Sequence, residues 1–249
     1  MKVLNLYAGI GGNRKLWGGV EVTAVELNPK IAEIYKDFFP QDEVIVSDAH
    51  QYLLDHFEEF DFIWSSPPCP THSVCNNFLH SQGVVRYPDM TLYQEIIFLK
   101  YRFKGKFCVE NVISYYEPLI KPIEMDRHYF WTNFYIKPVK PERNFNIANA
   151  KGTSRQTDKV HGKNLEKFHG IKLPSNTRNG RLMLRNCVYP PLGLHILNYA
   201  MKKEDDLFSV KKFNTQGDSP QAMDKSQPSA IHRDLVHANR LGCSGVENA

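Results

Sequence analysis

Short runs of β-branched and apolar residues alternate with stretches of helical spacing through the first half of the chain. VLNLY (3–7) reads as a buried strand and EVTAVE (21–26) as a second. NPKIAEIYKDFF (28–39) opens on an asparagine cap followed by proline in the first turn, which predicts a helix. EVIVSD (43–48) is a third strand, HQYLLDHF (50–57) a helix and FDFIWSS (60–66) a fourth strand. TLYQEIIFLKYRF (91–103) carries helical apolar spacing, and KFCVENV (106–112) is a fifth strand. This alternation predicts an α/β fold: a doubly wound, mostly parallel sheet with helices on both faces. In such sheets, ligands sit beyond the carboxyl ends of the strands.

Past the fifth strand the pattern weakens. RHYFWTNFYI (127–136) reads as one more strand or hairpin arm. From Lys137 to about Gly180 the periodicity dissolves into Asn, Lys, Gly, Ser and Thr, the mark of a functional loop region or a disordered one. LGLHILNYAMKK (192–203) predicts an amphipathic helix after Pro190 and Pro191. The polar stretch over 204–249 is expected to be a disordered tail.

The chain has 249 residues, enough for one sizeable α/β domain. Its 42% hydrophobic and 23% charged residues are those of an ordinary globular protein. No apolar run approaches the ~18 residues of a membrane span. Glycines interrupt MKVLNLYAGIGG too early for a secretory signal. These features suggest a cytoplasmic protein with no membrane partner, whose five cysteines are free thiols. The net charge of +4 is unevenly spread. Between Lys137 and Cys187, twelve Lys and Arg face three acids, a local +9 that leaves −5 on the rest of the chain. A basic block on a mildly acidic body suits a polyanion, or is simply a solvated basic surface.

Two constellations carry candidate chemistry. The first is Gly9-x-Gly11-Gly12 after the first strand, expected to lead into a helix whose N-terminus faces a ligand. It fits neither the six-residue dinucleotide fingerprint nor a phosphate loop. A nucleoside-like ligand without a pyrophosphate is therefore indicated. Glu26, at the tip of the second strand, is suited to ribose hydroxyls, and Asp48, ending the third, to an adenine amino group. S-adenosylmethionine meets these requirements. A tight structural turn is the plainer alternative.

The second constellation is SSPPCPTHS (65–73), a stiff loop that presents Cys69 at a strand's carboxyl end. Cys69 is an inert packing thiol, a metal ligand or a nucleophile. The metal reading would use Cys69, His72, Cys75 and His80, but no second ligand cluster is visible, so no metal is expected. The nucleophile reading pairs Cys69 with Glu110 of Glu110-Asn111-Val112, which ends the fifth strand and faces the same crevice. A thiolate and a carboxylic acid together activate an electron-poor ring. The thiolate adds at one carbon, the acid engages a ring nitrogen, and the neighbouring carbon becomes nucleophilic.

With these pieces in order, the sequence resembles the DNA cytosine-5 methyltransferases, most closely the short phage-type members. Tyr7-Ala8-Gly9-Ile10-Gly11-Gly12 stands at that family's cofactor loop. Pro67-Pro68-Cys69 with Ser73 stands at its catalytic loop, and Glu110-Asn111-Val112 at its base-binding motif. Arg127 lies in a stretch similar to its arginine-containing strand, and Arg185-Asn186-Cys187-Val188 resembles its late Gly-Asn-x-Val motif. The resemblance implies that Cys69 attacks C6 of a cytosine flipped out of double-stranded DNA. Glu110 would engage N3 and the amino group, and C5 would take the methyl. Arg127, Ser73 and Asn111 would hold the base. It further implies that Tyr7, Ala8, Gly9, Ile10, Gly11, Gly12, Glu26, Leu27, Asp48, Ala49, Pro67, Asn186 and Val188 bind S-adenosylmethionine, with S-adenosylhomocysteine as product. Residues 1–136 plus 182–203 would form the catalytic domain, and 137–181 a small basic target-recognition region. A monomer in a bacterial host's cytoplasm, within phage or restriction-modification biology, is the matching expectation.

Three features depart from the family pattern. Asp126-Arg127-His128 replaces a Gln-Arg-x-Arg-like run, Arg185 replaces glycine, and the recognition region is short. Rival readings are methylation of RNA cytosine and a catalytically silent nucleic-acid-binding homologue. An amino-methyltransferase is disfavoured, because those enzymes place an aromatic residue after Pro-Pro where this chain has Cys69.

Overall fold

The computed structural model describes residues 1–141, 155–175 and 177–202. Seven strands form one sheet in the order β3-β2-β1-β4-β5-β7-β6. They are β1 (Lys2–Leu6), β2 (Glu21–Val25), β3 (Glu43–Ile45), β4 (Phe62–Ser65), β5 (Lys106–Val112), β6 (Ile123–Met125) and β7 (His128–Thr132). The first five are parallel, and β7 and β6 add an antiparallel edge beside β5. The sheet is the open, doubly wound one that the alternating pattern predicts.

Alternation within the strands explains how both faces are buried. Val3, Phe62, Trp64, Cys108 and Phe130 point to one face, under Leu192, Ile196 and Leu197 of α7 (Pro190–Met201). Leu4, Leu6, Ile63, Phe107 and Val109 point to the other. There they meet Leu53 of α2 (Ala49–His56) and Ile96 and Leu99 of α4 (Thr91–Arg102). α1 (Pro29–Phe38) starts as expected, with Asn28 capping the Lys30 amide and proline in the first turn.

The expected helix after the glycine loop does not form. Residues 7–20 pass from β1 to β2 through turns. Gly9, Gly11 and Gly19 hold positive φ in this stretch. The buried Asn13 and Arg14 are committed to tertiary partners, which fixes the backbone irregularly. Asn13 donates to Asn5 at 2.8 Å, and Arg14 pairs with Asp42 at 2.8 Å. α7, from the far end of the chain, packs against these turns instead, its Gly193 lying against the Asn13 backbone.

The region without periodicity contains helix as well. α5 (Arg155–His169) and α6 (Gly180–Asn186) pack through Leu165, Ile171, Leu173 and Leu184 against Ile10. These apolar positions are too scattered to announce a helix, so tertiary contact decides it. A six-residue helix, α3 (Asn76–Ser81), follows the cysteine loop. β3 stops at Ile45, so Asp48 is the N-cap of α2 rather than the end of a strand. The expected 204–249 tail and part of the expected recognition region lie outside the described residues. Among the described residues, no helix is long and apolar enough to cross a membrane.

A side chain at position 193 would collide with the Asn13 carbonyl oxygen, which is backbone and cannot swing aside. Gly193→Ala is expected to destabilise the protein by about 1–3 kcal/mol, read as a shift in the urea-unfolding midpoint.

Candidate active site

The register of the parallel strands aligns the candidate residues. Leu6 pairs with Val25 on one side and Ser65 on the other, and Ser65 pairs with Val109. One residue further along, Glu26, Tyr7, Ser66 and Glu110 therefore stand in a row along the carboxyl edge of the sheet.

At the glycine-loop end, Tyr7 turns the chain with a left-handed φ of 55°. Ala8 then donates its amide to Val25 O, and Gly9 donates to Glu26 Oε2 at 3.0 Å. Glu26 Oε1 accepts from Asn28 N at 2.9 Å, so the carboxylate locks the glycine loop to the start of α1. Gly11 has no room for a side chain, because a Cβ there would run into the Phe39 ring. At Gly12 a Cβ would lie 2.7 Å from Cys187 Cβ and 2.9 Å from Val188 O. The late Cys187-Val188 segment thus presses directly on the glycine loop. Beside Gly9 there is open space. Ile10 and Ala49 are buried, Leu27 and Asn186 are exposed, and Asp48 spends one oxygen capping Gln51 N at 2.8 Å.

At the other end, Ser66-Pro67-Pro68-Cys69 leaves β4 and is fixed to β5 by Asn111, whose amide donates to Pro67 O at 2.9 Å. Beyond Cys69 the loop is held against the segment after Glu110. His72 Nδ1 lies 2.6 Å from Tyr116 Oη, Tyr115 N donates to His72 O, and Ser73 bridges to Ser114. Ser73 Oγ accepts from Cys75 N. The four described free cysteines form no disulfide, and no group of three or more His, Cys, Asp or Glu among the described residues could hold a metal ion.

Cys69 is half-buried, and its thiol is pushed up to about 11, first by desolvation and then by the Glu110 carboxylate, with Arg127 pulling the other way. Glu110 is buried two residues before the end of β5, and desolvation pushes its carboxyl up to about 7, opposed by a Ser66 hydrogen bond and the Arg127 charge. Trp64 Nε1 donates to Ser66 Oγ at 2.9 Å, which leaves the Ser66 proton to point at Glu110. His128 Nε2 lies 3.6 Å from Glu110 Oε1. Arg127 donates to the Arg185 carbonyl at 3.1 Å, joining the Arg185–Val188 segment to the strand beside Glu110. A thiol and a carboxyl near its neutral point can thus add to an electron-poor ring and hold a proton on it.

Sequence reasoning missed Ser66, Trp64, His128 and Glu95. Glu95 has a legible signal: it falls three residues after Leu92 and four before Leu99, on the apolar stripe of α4.

The fold is a Rossmann-like sheet with a glycine loop, two carboxylates and a thiol and a carboxyl group at its carboxyl edge. Residues 1–114 match the family model of the C-5 cytosine-specific DNA methylases. A human protein named tRNA (cytosine(38)-C(5))-methyltransferase is 31% identical over 98 residues, a match covering 32% of this chain and 25% of that protein. Entamoeba histolytica methyltransferase EhMeth shares the fold with a TM-score of 0.50 at 12% identity, over 83% of this chain and 98% of that one. A Spodoptera frugiperda DNMT2 variant does so with a TM-score of 0.54 at 15% identity, over 81% and 99%.

Because Glu110 binds its proton more tightly when folded than an unfolded glutamate does, its burial costs stability as the pH rises from about 4.5 to 7. Glu110→Gln removes that cost. Relative to wild type, the variant is expected to gain up to about 3 kcal/mol between pH 4.5 and 8, measured by urea unfolding across that range.

Proposed function

We propose that the protein transfers a methyl group from S-adenosylmethionine to C5 of a cytosine in double-stranded DNA. The observation that carries the reading is Cys69 on the loop after β4 and the buried Glu110 carboxyl on the neighbouring strand β5, each within reach of the other's charge. A base in a duplex cannot reach a site this deep while stacked, so the cytosine is flipped out.

The residues fit the cofactor. The open side of Gly9 and the neighbouring Glu26 carboxylate suit a nucleoside, and Asp48 keeps an oxygen for an adenine amino group. Leu27, Ala49, Pro67, Asn186 and Val188 complete the assigned set, with Tyr7, Ala8, Ile10, Gly11 and Gly12 forming the loop itself. When bound, the sulfonium supplies the electrophilic methyl that ends on C5.

Cys69, as thiolate, forms a bond to C6 while Glu110 holds a proton on N3, so the C5–C6 π electrons become available at C5. Neutral Glu110 serves twice: it donates to the ring, and it relieves the repulsion that raises the thiol. Arg127 lowers both groups, favouring the thiolate. Asn111 fixes the loop through Pro67, and Ser73 keeps it folded on Ser114. Loss of the C5 proton and departure of Cys69 restore the ring and free the enzyme.

Residues 1–136 with 182–203 form the catalytic part in this reading, and 137–181 the target-recognition part. Eleven Lys and Arg against three acids give that part a local charge of +8, which suits phosphate contacts that weaken with salt. A second reading, methylation of RNA cytosine, is favoured by the name of the human relative.

With S-adenosylmethionine and duplex DNA containing 5-fluorocytosine, which blocks the final proton loss, a denaturation-resistant adduct is expected. Cys69→Ser is expected to form none. An adduct on fluorinated RNA alone would favour the second reading, and none on either polymer would overturn both.

A further inference from the structure

Glu95 sits on α4 with no solvent exposure. The inner face of that helix otherwise offers Leu92, Tyr93, Ile96 and Leu99, and packing alone has no use for a charge among them. Burying a carboxylate is costly unless donors replace its water. Three do so here. Tyr7 Oη donates to Oε1 at 2.6 Å, and His50 Nδ1 meets the same oxygen at 3.0 Å. Ser65 Oγ donates to Oε2 at 2.5 Å.

These partners come from three separate segments at the carboxyl edge. Tyr7 opens the glycine loop two residues before Gly9. His50 follows the Asp48 cap by two residues, and Ser65 precedes Cys69 by four. Tyr7 also holds its left-handed backbone, which a tyrosine keeps only where its surroundings enforce it. Between Ser65 and Cys69 lie Pro67 and Pro68, whose fixed φ makes the link stiff.

We propose that Glu95 is a positioning residue that couples the cofactor crevice to the catalytic loop. The inference rests on the functional reading above and extends it to a residue outside the reacting set. A displacement of Tyr7 or His50 when the crevice fills is passed through one carboxylate to Ser65, and along the proline link to Cys69. Such coupling is reciprocal, so whatever fixes Cys69 also tightens the crevice.

The test compares wild type, Glu95→Gln and Glu95→Ala. S-adenosylhomocysteine binding is measured by calorimetry, and near-ultraviolet circular dichroism checks the fold. Alkylation of Cys69 by iodoacetamide is followed by peptide mass spectrometry, with and without saturating S-adenosylhomocysteine. The exposed Cys75 serves as the internal reference. In wild type, the ligand is expected to change the Cys69 rate and leave Cys75 alone. Glu95→Ala is expected to weaken binding roughly tenfold and to lose the Cys69 response even at saturation. Glu95→Gln keeps the volume and one acceptor oxygen, so it is expected to retain part of both effects. It also carries the test if the alanine variant unfolds.

A full Cys69 response in either folded variant overturns the coupling, as does wild type that binds the ligand with no response at Cys69. Wild type that fails to bind S-adenosylhomocysteine overturns the cofactor reading, and this inference with it.

Discussion

The pairing register of four parallel strands is the constraint on which the site depends. Because Leu6 stands level with Val25 and Ser65, and Ser65 with Val109, the next residue on each strand joins one row. That row is Glu26, Tyr7, Ser66 and Glu110. A slip of one residue in β4 would turn Phe62 and Trp64 towards the face now occupied by Ile63, and would break both cores at once. Core packing therefore fixes the positions of the polar groups at the edge.

The carboxyl groups on and beside that row have different surroundings. Glu26, with two backbone amides, and Glu95, with three side-chain partners, each tie separate segments together. At Glu110, desolvation pushes the carboxyl up to about 7. Cys69 feels both burial and the Glu110 charge, so the ionisation of one group depends on the other. The chemistry proposed for the pair follows from that dependence, with Arg127 as the nearby positive charge.

Much of this was legible in the residue pattern, and the limits have physical causes. The five parallel strands and the helices α1, α2, α4 and α7 announce themselves because their periodicity reflects one buried face or two. The glycine loop, Cys69 and Glu110 announce themselves because few structural needs place such residues at strand ends. The segment after Gly12 forms turns rather than the expected helix because Asn13 and Arg14 make their bonds to residues distant in sequence, Asn5 across the turn and Asp42 beyond α1. α5 and α6 were missed because only contact with Ile10 and Leu173 gives their few apolar residues a shared face. Glu95 went unnoticed because a mid-helix glutamate usually faces water, and only its spacing from Leu92 and Leu99 hints otherwise.

The most direct test of the central claim is the modified base itself. Genomic DNA and total RNA from bacterial cells producing the protein, or its Cys69→Ser variant, are digested to nucleosides and analysed by mass spectrometry. The account expects 5-methylcytosine to rise in DNA with the wild-type protein and to stay at background with the variant. No rise in either polymer, or a rise that survives loss of the Cys69 thiol, would contradict it.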